Sequence, residues 1–285
     1  MAYEGNQQET EGKSTAYETI IYEKVEEKIC RLTLNRPEKL NAMSNQLLAE
    51  VDLALDEFEK DHDSSVLIIR GAGRAFCAGY DLRPVSGPGG GFTVTSDRWG
   101  LRKIVGRWQR LWNLPKPTIA QVQGFCLAGA NEFVGHCDIV FAAEDAQFGH
   151  PAGRALGVLP SLAMWPYLMG MRKTKEFLFT GDSMTAAEAL ENGLINHVCP
   201  REKLEEEVLT YARRVAQVPV DLLTLHKAAT NRFFEVMGVY AAEQSALEFD
   251  VIAHQTKTVK AEVKKMGERG LKEALRERDK PFAKK

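Results

Sequence analysis

Residues 116–145 read KPTIAQVQGFCLAGANEFVGHCDIVFAAED, and this stretch decides the fold. It contains two apolar runs, TIAQVQG at 118–124 and DIVFAAED at 138–145, which have the length and character of buried strands. The segment between them is rich in small residues and has helical character after Gly129. Strands that alternate with helical segments predict parallel β-α units.

The chain before this stretch shows the same alternation. SVLIIRG at 65–71 predicts another buried strand, and LLAEVDLALDEFEKD has apolar residues at helical spacing, with Ser44 as its predicted N-cap. Residues 18–34 hold two short apolar runs divided by the charged letters EEK, which predicts a hairpin. The predicted fold class is α/β.

Three further regions complete the predicted organisation. Residues 1–16 are polar and acidic, which predicts a disordered N-terminal tail. The letters PVSGPGGGF at 84–92 are dense in Gly and Pro and predict a loop. The signals for strands stop at about residue 200, so we expect a core domain over 17–200 and a helical region over 201–285.

Composition and charge exclude several classes of protein. A formal net charge of −2 provides no overall positive field for nucleic acid, and no apolar run reaches membrane-spanning length. We therefore expect a cytoplasmic protein with neither nucleic acid nor membrane as a partner. The five cysteines form no CxxC pair and the six histidines have no ligand spacing, so we expect buried free thiols and no metal.

Two turns carry the candidate chemistry. FCAGYDL at 76–82 and CLAGANE at 126–132 each place small residues where a strand gives way to a turn. Glycine at such a turn lets the backbone expose amide N–H groups, and two such groups can bind one oxyanion. The alternative is structural, because most glycine turns before helices have no catalytic role.

Glu132 is the one carboxylate in the second turn, among glycine, alanine, phenylalanine and valine. It is either an acid/base group or a glutamate that the first turn of a helix favours through the helix dipole. An apolar pocket would raise the pKa of Glu132 and the helix start would lower it, so the sequence leaves its value open.

The quoted stretch resembles the crotonase superfamily of enoyl-CoA hydratases and isomerases. The resemblance also rests on LNRPEKLNAM at 34–43, LGVLP at 156–160 and FTGDSMTAAEALENGLINHV at 179–198. It runs from about Tyr17 to about Glu202 and implies a core of repeated ββα units. It also implies acyl-CoA thioester substrates, no cofactor beyond the coenzyme A of the substrate, and a helical C-terminal region that supports a homotrimer or a dimer of trimers.

The resemblance assigns roles to the residues of both turns. The enolate oxygen of the thioester would be bound by the backbone amides of Tyr80 and Gly129, the amide of Tyr80 rather than its phenol being the expected donor. Asp81, Leu82 and Arg83 would line the substrate-binding turn. Glu132 stands where the family has its first catalytic carboxylate.

Two basic residues are candidates for contact with coenzyme A. Lys39 lies in the segment that resembles the border of the adenine and pantetheine site, and Arg74 lies just before the first turn. Either side chain would face a CoA phosphate or be a solvated loop residue, and the sequence leaves both readings open.

The sequence departs from the family where its hydratases carry a second glutamate. Ala152 and Gly153 occupy that place, and no Asp or Glu lies between Asp145 and Glu176. His150 and Arg154 are the nearest polar substitutes. His150 is either a base that works near neutral pH or a hydrogen-bonded structural histidine.

Three functions follow as alternatives from this departure. The first is an enoyl-CoA hydratase or isomerase in which Glu132 is the acid/base and a thioester enolate is stabilised. The second is an acyl-CoA hydrolase, a decarboxylase or a C–C bond-cleaving enzyme that needs one carboxylate. The third is a weakly catalytic protein that binds acyl-CoA or RNA.

Overall fold

The computed structural model describes residues 17–82 and 93–283, so the predicted tail over 1–16, the predicted loop over 84–92 and the candidate Arg83 lie outside the described residues. The strands are, in chain order, β1 (Ile20–Glu26), β2 (Ile29–Leu34), β3 (Val66–Gly71), β4 (Thr118–Val122), β5 (Phe125–Leu127), β6 (Ile139–Ala143), β7 (Gln147–Gly149), β8 (Ser183–Thr185) and β9 (His197–Cys199).

Helices connect these strands and follow the last of them. They are α1 (Asn45–Lys60), α2 (Val94–Trp112), α3 (Gly129–Gly135), α4 (Trp165–Leu168), α5 (Gly170–Thr180), α6 (Ala186–Glu191), α7 (Leu204–Val215), α8 (Val220–Val236), α9 (Val239–His254), α10 (Lys257–Arg269) and α11 (Leu271–Asp279). Within the described part of the chain, no helix is long and apolar enough to cross a membrane.

The larger sheet has the strand order β1-β2-β3-β4-β6-β9. β1 and β2 are antiparallel, and the remaining neighbours pair in parallel. The predicted α/β class, the predicted hairpin and the predicted buried strands are therefore confirmed. Ser44 also caps α1 as predicted, because its side chain accepts a hydrogen bond from the N–H of Leu47.

Both faces of this sheet are covered, which explains why its strands read as continuous apolar runs. Along β3, Leu67 and Ile69 face the main core, whereas Val66 and Ile68 face a second cluster that includes Val208 of α7. This alternation follows the two-residue period of a strand.

A second sheet, with the order β5-β7-β8, stands beside the first and carries the small-residue segment. Each of its strands has three residues, which is too short for a hydrophobic period to predict. β5 is parallel to β7, so the end of β5 and the start of α3 lie next to the turn that follows β7. This arrangement brings the two candidate turns and the segment after Gly149 to one place.

Candidate active site

The two small-residue turns lie side by side. Cys77 and Cys126 form a parallel bridge, and the N–H of Leu127 donates to the carbonyl of Cys77 at 3.0 Å. Gly79 has a φ of +95°, and a Cβ there would lie 2.7 Å from the carbonyl oxygen of Leu127 and 3.2 Å from the amide nitrogen of Gly129. Only glycine therefore allows the two turns to approach this closely.

The two amides that the resemblance pairs lie on these adjacent turns. Among the hydrogen bonds of the described residues, the N–H groups of Tyr80 and Gly129 have no acceptor. Ala128, which precedes Gly129, has a φ of 50° and a ψ of −126°, a conformation that L residues rarely adopt. Asn131 holds this turn, because its side-chain amide donates to the carbonyls of Cys126, Ala128 and Gly149.

Glu132 lies in the first turn of α3 and its side chain is fully buried, with 0% of its surface exposed. Three groups donate to its carboxylate. The hydroxyl of Tyr80 donates to Oε2 at 2.7 Å, while the N–H and the hydroxyl of Ser161 donate to Oε1 at 2.8 and 2.7 Å. Burial raises the pKa of Glu132 above its ordinary value, although these hydrogen bonds and the charge of His136 oppose the change.

The phenol of Tyr80 is fixed from its other side. The indole N–H of Trp108 donates to the Tyr80 oxygen at 2.9 Å, so the proton of the phenol is directed to Glu132. Trp108 is fully buried and stacks on Phe133 with ring centroids 4.8 Å apart. Burial, together with the charge of Glu132, raises the pKa of Tyr80 well above its ordinary value and keeps the phenol neutral.

Ser161 was missed as a site residue from the sequence, since no local motif marks it. It sits before three consecutive residues in the left-handed region, Leu162, Ala163 and Met164, with φ between 50° and 61°. Its hydroxyl accepts from the N–H of Ala163 at 3.2 Å while donating to Glu132. The one sequence signal that could have identified Ser161 is its position directly after LGVLP.

A buried polar chain lies behind Glu132. His136 Nδ1 is 2.6 Å from the Glu132 carbonyl oxygen and donates to it, and His136 Nε2 is 2.7 Å from Oε1 of Glu243 on α9. The other oxygen of Glu243 accepts from the side-chain amide of Gln109 at 2.8 Å. These contacts join α3 to α9 and α2 and hold the C-terminal end of α3.

His150 is buried at 4% exposure, and its Nε2 is 3.4 Å from the carbonyl oxygen of Gly157. A carbonyl only accepts, so Nε2 carries the proton and Nδ1, which has no partner among the described residues, is the basic nitrogen. Burial lowers the pKa of His150 to about 4, so the ring is neutral at pH 7. The described hydrogen bonds do not join His150 to Glu132.

Arg154 has structural partners. Its guanidinium donates to the carbonyl of Thr180 and forms ion pairs with Asp182 and with Asp279 of α11. It also lies over the ring of Phe282 at 4.0 Å. These contacts fasten the C-terminal helix to the segment after β7, and they occupy the group that the sequence offered as a substitute for the glutamate.

Asp250 of α9 is another buried carboxylate, and it lies against Gly157 and Val158 in the segment after β7. Its Oδ1 accepts from the N–H of Val158 at 2.7 Å, and a Cβ on Gly157 would lie 2.4 Å from this oxygen. His254 lies 3.6 Å from Asp250 and 2.8 Å from Asp97. Burial raises the pKa of Asp250 to about 7, and the charge of Glu132 contributes in the same direction.

The remaining predicted residues lie at the rim. Asp81 forms an ion pair with Arg36 at 3.2 Å and its N–H donates to Met43, so it holds the turn to the segment that contains Lys39. Leu82 is half-buried next to it, whereas the side chains of Lys39 and Arg74 are exposed. Within residues 17–82 and 93–283, no group of three or more His, Cys, Asp or Glu could hold a metal ion.

Comparison with known proteins agrees with this architecture. The family model described as enoyl-CoA hydratase/isomerase matches residues 24–284. The chain is 35% identical over 222 residues to a probable enoyl-CoA hydratase, echA8, of Mycobacterium bovis. The aligned region covers 77% of this chain and 83% of that relative. It is 34% identical over 224 residues to a probable enoyl-CoA hydratase of Rhizobium meliloti, with coverage of 78% and 84%.

Solved structures show the same similarity. An enoyl-CoA hydratase/isomerase from Xanthobacter autotrophicus Py2 superposes with a TM-score of 0.88 at 36% identity, covering 94% of this chain and 100% of that one. An enoyl-CoA hydratase from Mycobacterium smegmatis gives a TM-score of 0.86 at 32% identity, with coverage of 93% and 94%. The chain therefore belongs to the enoyl-CoA hydratase/isomerase family of the crotonase superfamily.

Proposed function

We propose that the protein is an acyl-CoA enzyme that forms a thioester enolate, binds the enolate oxygen with the amides of Tyr80 and Gly129, and moves protons with Glu132. The observation that supports this most directly is the pairing of two amides, which lie on touching turns and have no acceptor among the described residues, with a buried carboxylate three residues after Gly129. Two amide donors aimed at one oxygen stabilise the charge that develops there.

The state of Glu132 suits a group that gains and loses a proton. Three hydrogen-bond donors stabilise the carboxylate, whereas burial stabilises the carboxylic acid. These opposing effects limit the rise in the pKa of Glu132. A general acid/base works best when its pKa lies near the operating pH. The raised pKa of Glu132 moves it in that direction.

Hydration and isomerisation are the first candidates, because the relatives are named enoyl-CoA hydratases and enoyl-CoA hydratase/isomerase. The second candidate is hydrolysis, decarboxylation or C–C cleavage with one carboxylate. It is favoured by Ala152 and Gly153, which stand in place of a glutamate. The two differ in whether water adds to a C=C bond.

A panel of CoA esters tests the proposal and separates the two candidates. It contains crotonyl-CoA, a 3-enoyl-CoA, a saturated acyl-CoA and a malonyl-type CoA, each followed by chromatography of its products. Turnover of the first two supports hydration or isomerisation, and release of free coenzyme A or carbon dioxide supports the second candidate. Binding without turnover of any ester contradicts both and supports a protein that binds acyl-CoA.

We also propose that the protein assembles as a homotrimer or a dimer of trimers. Large apolar side chains are exposed on α8 and α9, namely Leu225, Phe233, Val236, Phe249 and Ile252. Exposed apolar area of this kind is typical of interfaces between subunits. Sedimentation velocity should show a trimer or hexamer, which Phe233→Glu weakens and Leu53→Glu on α1 does not. A monomer at micromolar concentration contradicts the proposal.

A further inference from the structure

Glu132 has no direct access to a substrate in this structure. Its side chain is fully buried, and within the described residues both of its oxygens are bound by protein donors. Ser161, which binds Oε1, is itself 3% exposed. A proton that travels between Glu132 and a bound ester must therefore pass through another group.

Tyr80 is the partner of Glu132 that reaches the surface of the site. It is partly exposed, and its ring lies against Gly129, where an added Cβ would be 2.3 Å from Tyr80 Cε2. The ring therefore lies beside Gly129, which carries one of the two proposed oxyanion amides, while the hydroxyl donates to the carboxylate of Glu132. Tyr80 stands between the place where the thioester oxygen would bind and the acid/base.

The hydrogen bonds of the phenol leave one position open. A phenol has one proton and two lone pairs. The proton points to Glu132, and Trp108 occupies one lone pair. The second lone pair is available to accept a proton from water or from carbon.

From this arrangement we propose that the Tyr80 hydroxyl is a catalytic proton relay that links the buried Glu132 to the substrate. The proposal rests on the proposed function of the site. It supplies the second proton-transfer group that the segment from Pro151 to Leu159 lacks, since that segment contains no carboxylate.

The step balances for addition of water to an enoyl thioester. As the oxygen of water bonds to the β carbon, its O–H bond breaks and that proton passes to the Tyr80 oxygen, while the phenol proton passes to Glu132. The electron pair of the C=C bond moves to the thioester oxygen as an enolate. Glu132 then returns its proton to Tyr80, which protonates the α carbon, so both side chains regain their first state.

The charges around the pair support a neutral phenol. Burial of the phenol and the charge of Glu132 raise the pKa of Tyr80, whereas the hydrogen bond from Trp108 and the charge of Arg107 on α2 oppose this change. The phenol remains protonated beside an ionised carboxylate. Transfer of the phenol proton to Glu132 moves one negative charge between the two groups and creates no pair of opposite charges.

The test is the steady-state rate of crotonyl-CoA hydration in Tyr80→Phe, Glu132→Gln and the control Tyr211→Phe. Tyr211 packs on Phe141 and His197 at the opposite face of the sheet, so its hydroxyl is a matched control. Tyr80→Phe keeps the ring and the backbone amide. We expect it to lower kcat by roughly 10² to 10⁴, the usual effect of losing one acid/base group. Affinity for butyryl-CoA should stay near the wild-type value.

The outcomes separate the relay from the proposed function. If Tyr80→Phe retains the wild-type rate while Glu132→Gln is inactive, the relay is overturned and the function of Glu132 stands. A wild type that turns over no CoA ester contradicts both.

If Tyr80→Phe fails to fold, a fluorinated tyrosine at this position keeps the ring and hydroxyl and makes the phenol more acidic. The relay then predicts loss of rate as the pH rises through the lowered phenol pKa, and a wild-type pH profile overturns it.

Discussion

The backbone N–H and the hydroxyl of Ser161 both donate to the same oxygen of Glu132, at 2.8 and 2.7 Å. The carboxylate therefore has a fixed orientation before any substrate binds. Hydrogen bonds to a charged acceptor are about twice as strong as neutral ones. This pair of donors offsets part of the cost of burying Glu132 and limits the rise of its pKa.

Ser161→Ala should destabilise the protein most when Glu132 is ionised. The variant keeps the N–H but removes the hydroxyl, which costs about 1–3 kcal/mol for a buried charged acceptor. Because the lost bond favours the carboxylate, the pKa of Glu132 rises further. The loss in free energy of unfolding should thus be larger at high pH than at low pH, as urea denaturation would measure. Ser65→Ala is the control, because it removes the hydroxyl of a buried serine directly before β3. An equal loss at both pH values contradicts the assigned interaction.

Asp250 should make stability depend on pH. Its pKa is raised to about 7 in the folded protein, so the folded state binds a proton that the unfolded state has released. The stability that Asp250 contributes is present below its unfolded pKa near 4 and is lost as the pH rises through about 7. Asp250→Asn keeps an acceptor for the N–H of Val158 and removes this titration.

The free energy of unfolding of the wild type, relative to Asp250→Asn, should therefore fall as the pH rises between these values. Each pKa unit corresponds to about 1.4 kcal/mol. The pKa of His254 is raised as well, because burial lowers it less than the contacts with Asp97 and Asp250 raise it. The stability that His254 contributes is therefore also lost as the pH rises. Chemical denaturation at several pH values provides the measurement. A difference that stays constant with pH would show that Asp250 does not titrate as assigned.

Gly129 can be probed with two substitutions that share one steric effect. Both Gly129→Ala and Gly129→Pro introduce a Cβ, which would lie 2.3 Å from Tyr80 Cε2 and displace the ring. Only the proline also removes the N–H. Loss of one oxyanion donor costs about 10²- to 10³-fold in rate. We expect the proline variant to be slower than the alanine variant by that factor, and equal rates in two folded variants would exclude the amide as a donor.

The sequence predicted those parts of the molecule that depend on local pattern. The apolar run of β3 and the cap at Ser44 follow from neighbouring residues, whereas the role expected of Glu132 came from the resemblance to the crotonase superfamily. The contacts of Glu132 with Tyr80 and Ser161 join residues 52 and 29 positions apart. No period or turn signal encodes such contacts, because they depend on the bridge between Cys77 and Cys126 and on the pairing of β5 with β7.

His150 illustrates the same limit. Its position in the segment after β7 is consistent with either a base or a hydrogen-bonded structural histidine, because the sequence contains nothing about its environment. The structure buries the ring against Gly157, where the loss of solvent lowers its pKa to about 4. Arg154 is likewise a candidate substitute for the glutamate in the sequence, but in the structure Asp182 and Asp279 form ion pairs with it from other parts of the chain.

The most direct test of the account is the steady-state rate on crotonyl-CoA for the wild type, Glu132→Gln and His150→Ala, measured side by side. If Glu132 is the acid/base, Glu132→Gln keeps the shape of the side chain and abolishes turnover, a loss of at least about 10² in rate. His150→Ala should retain most of the wild-type rate, and hydration by the wild type should be slower than in a family member with two glutamates. Fast hydration that survives Glu132→Gln and collapses in His150→Ala would contradict the account and make the histidine the base.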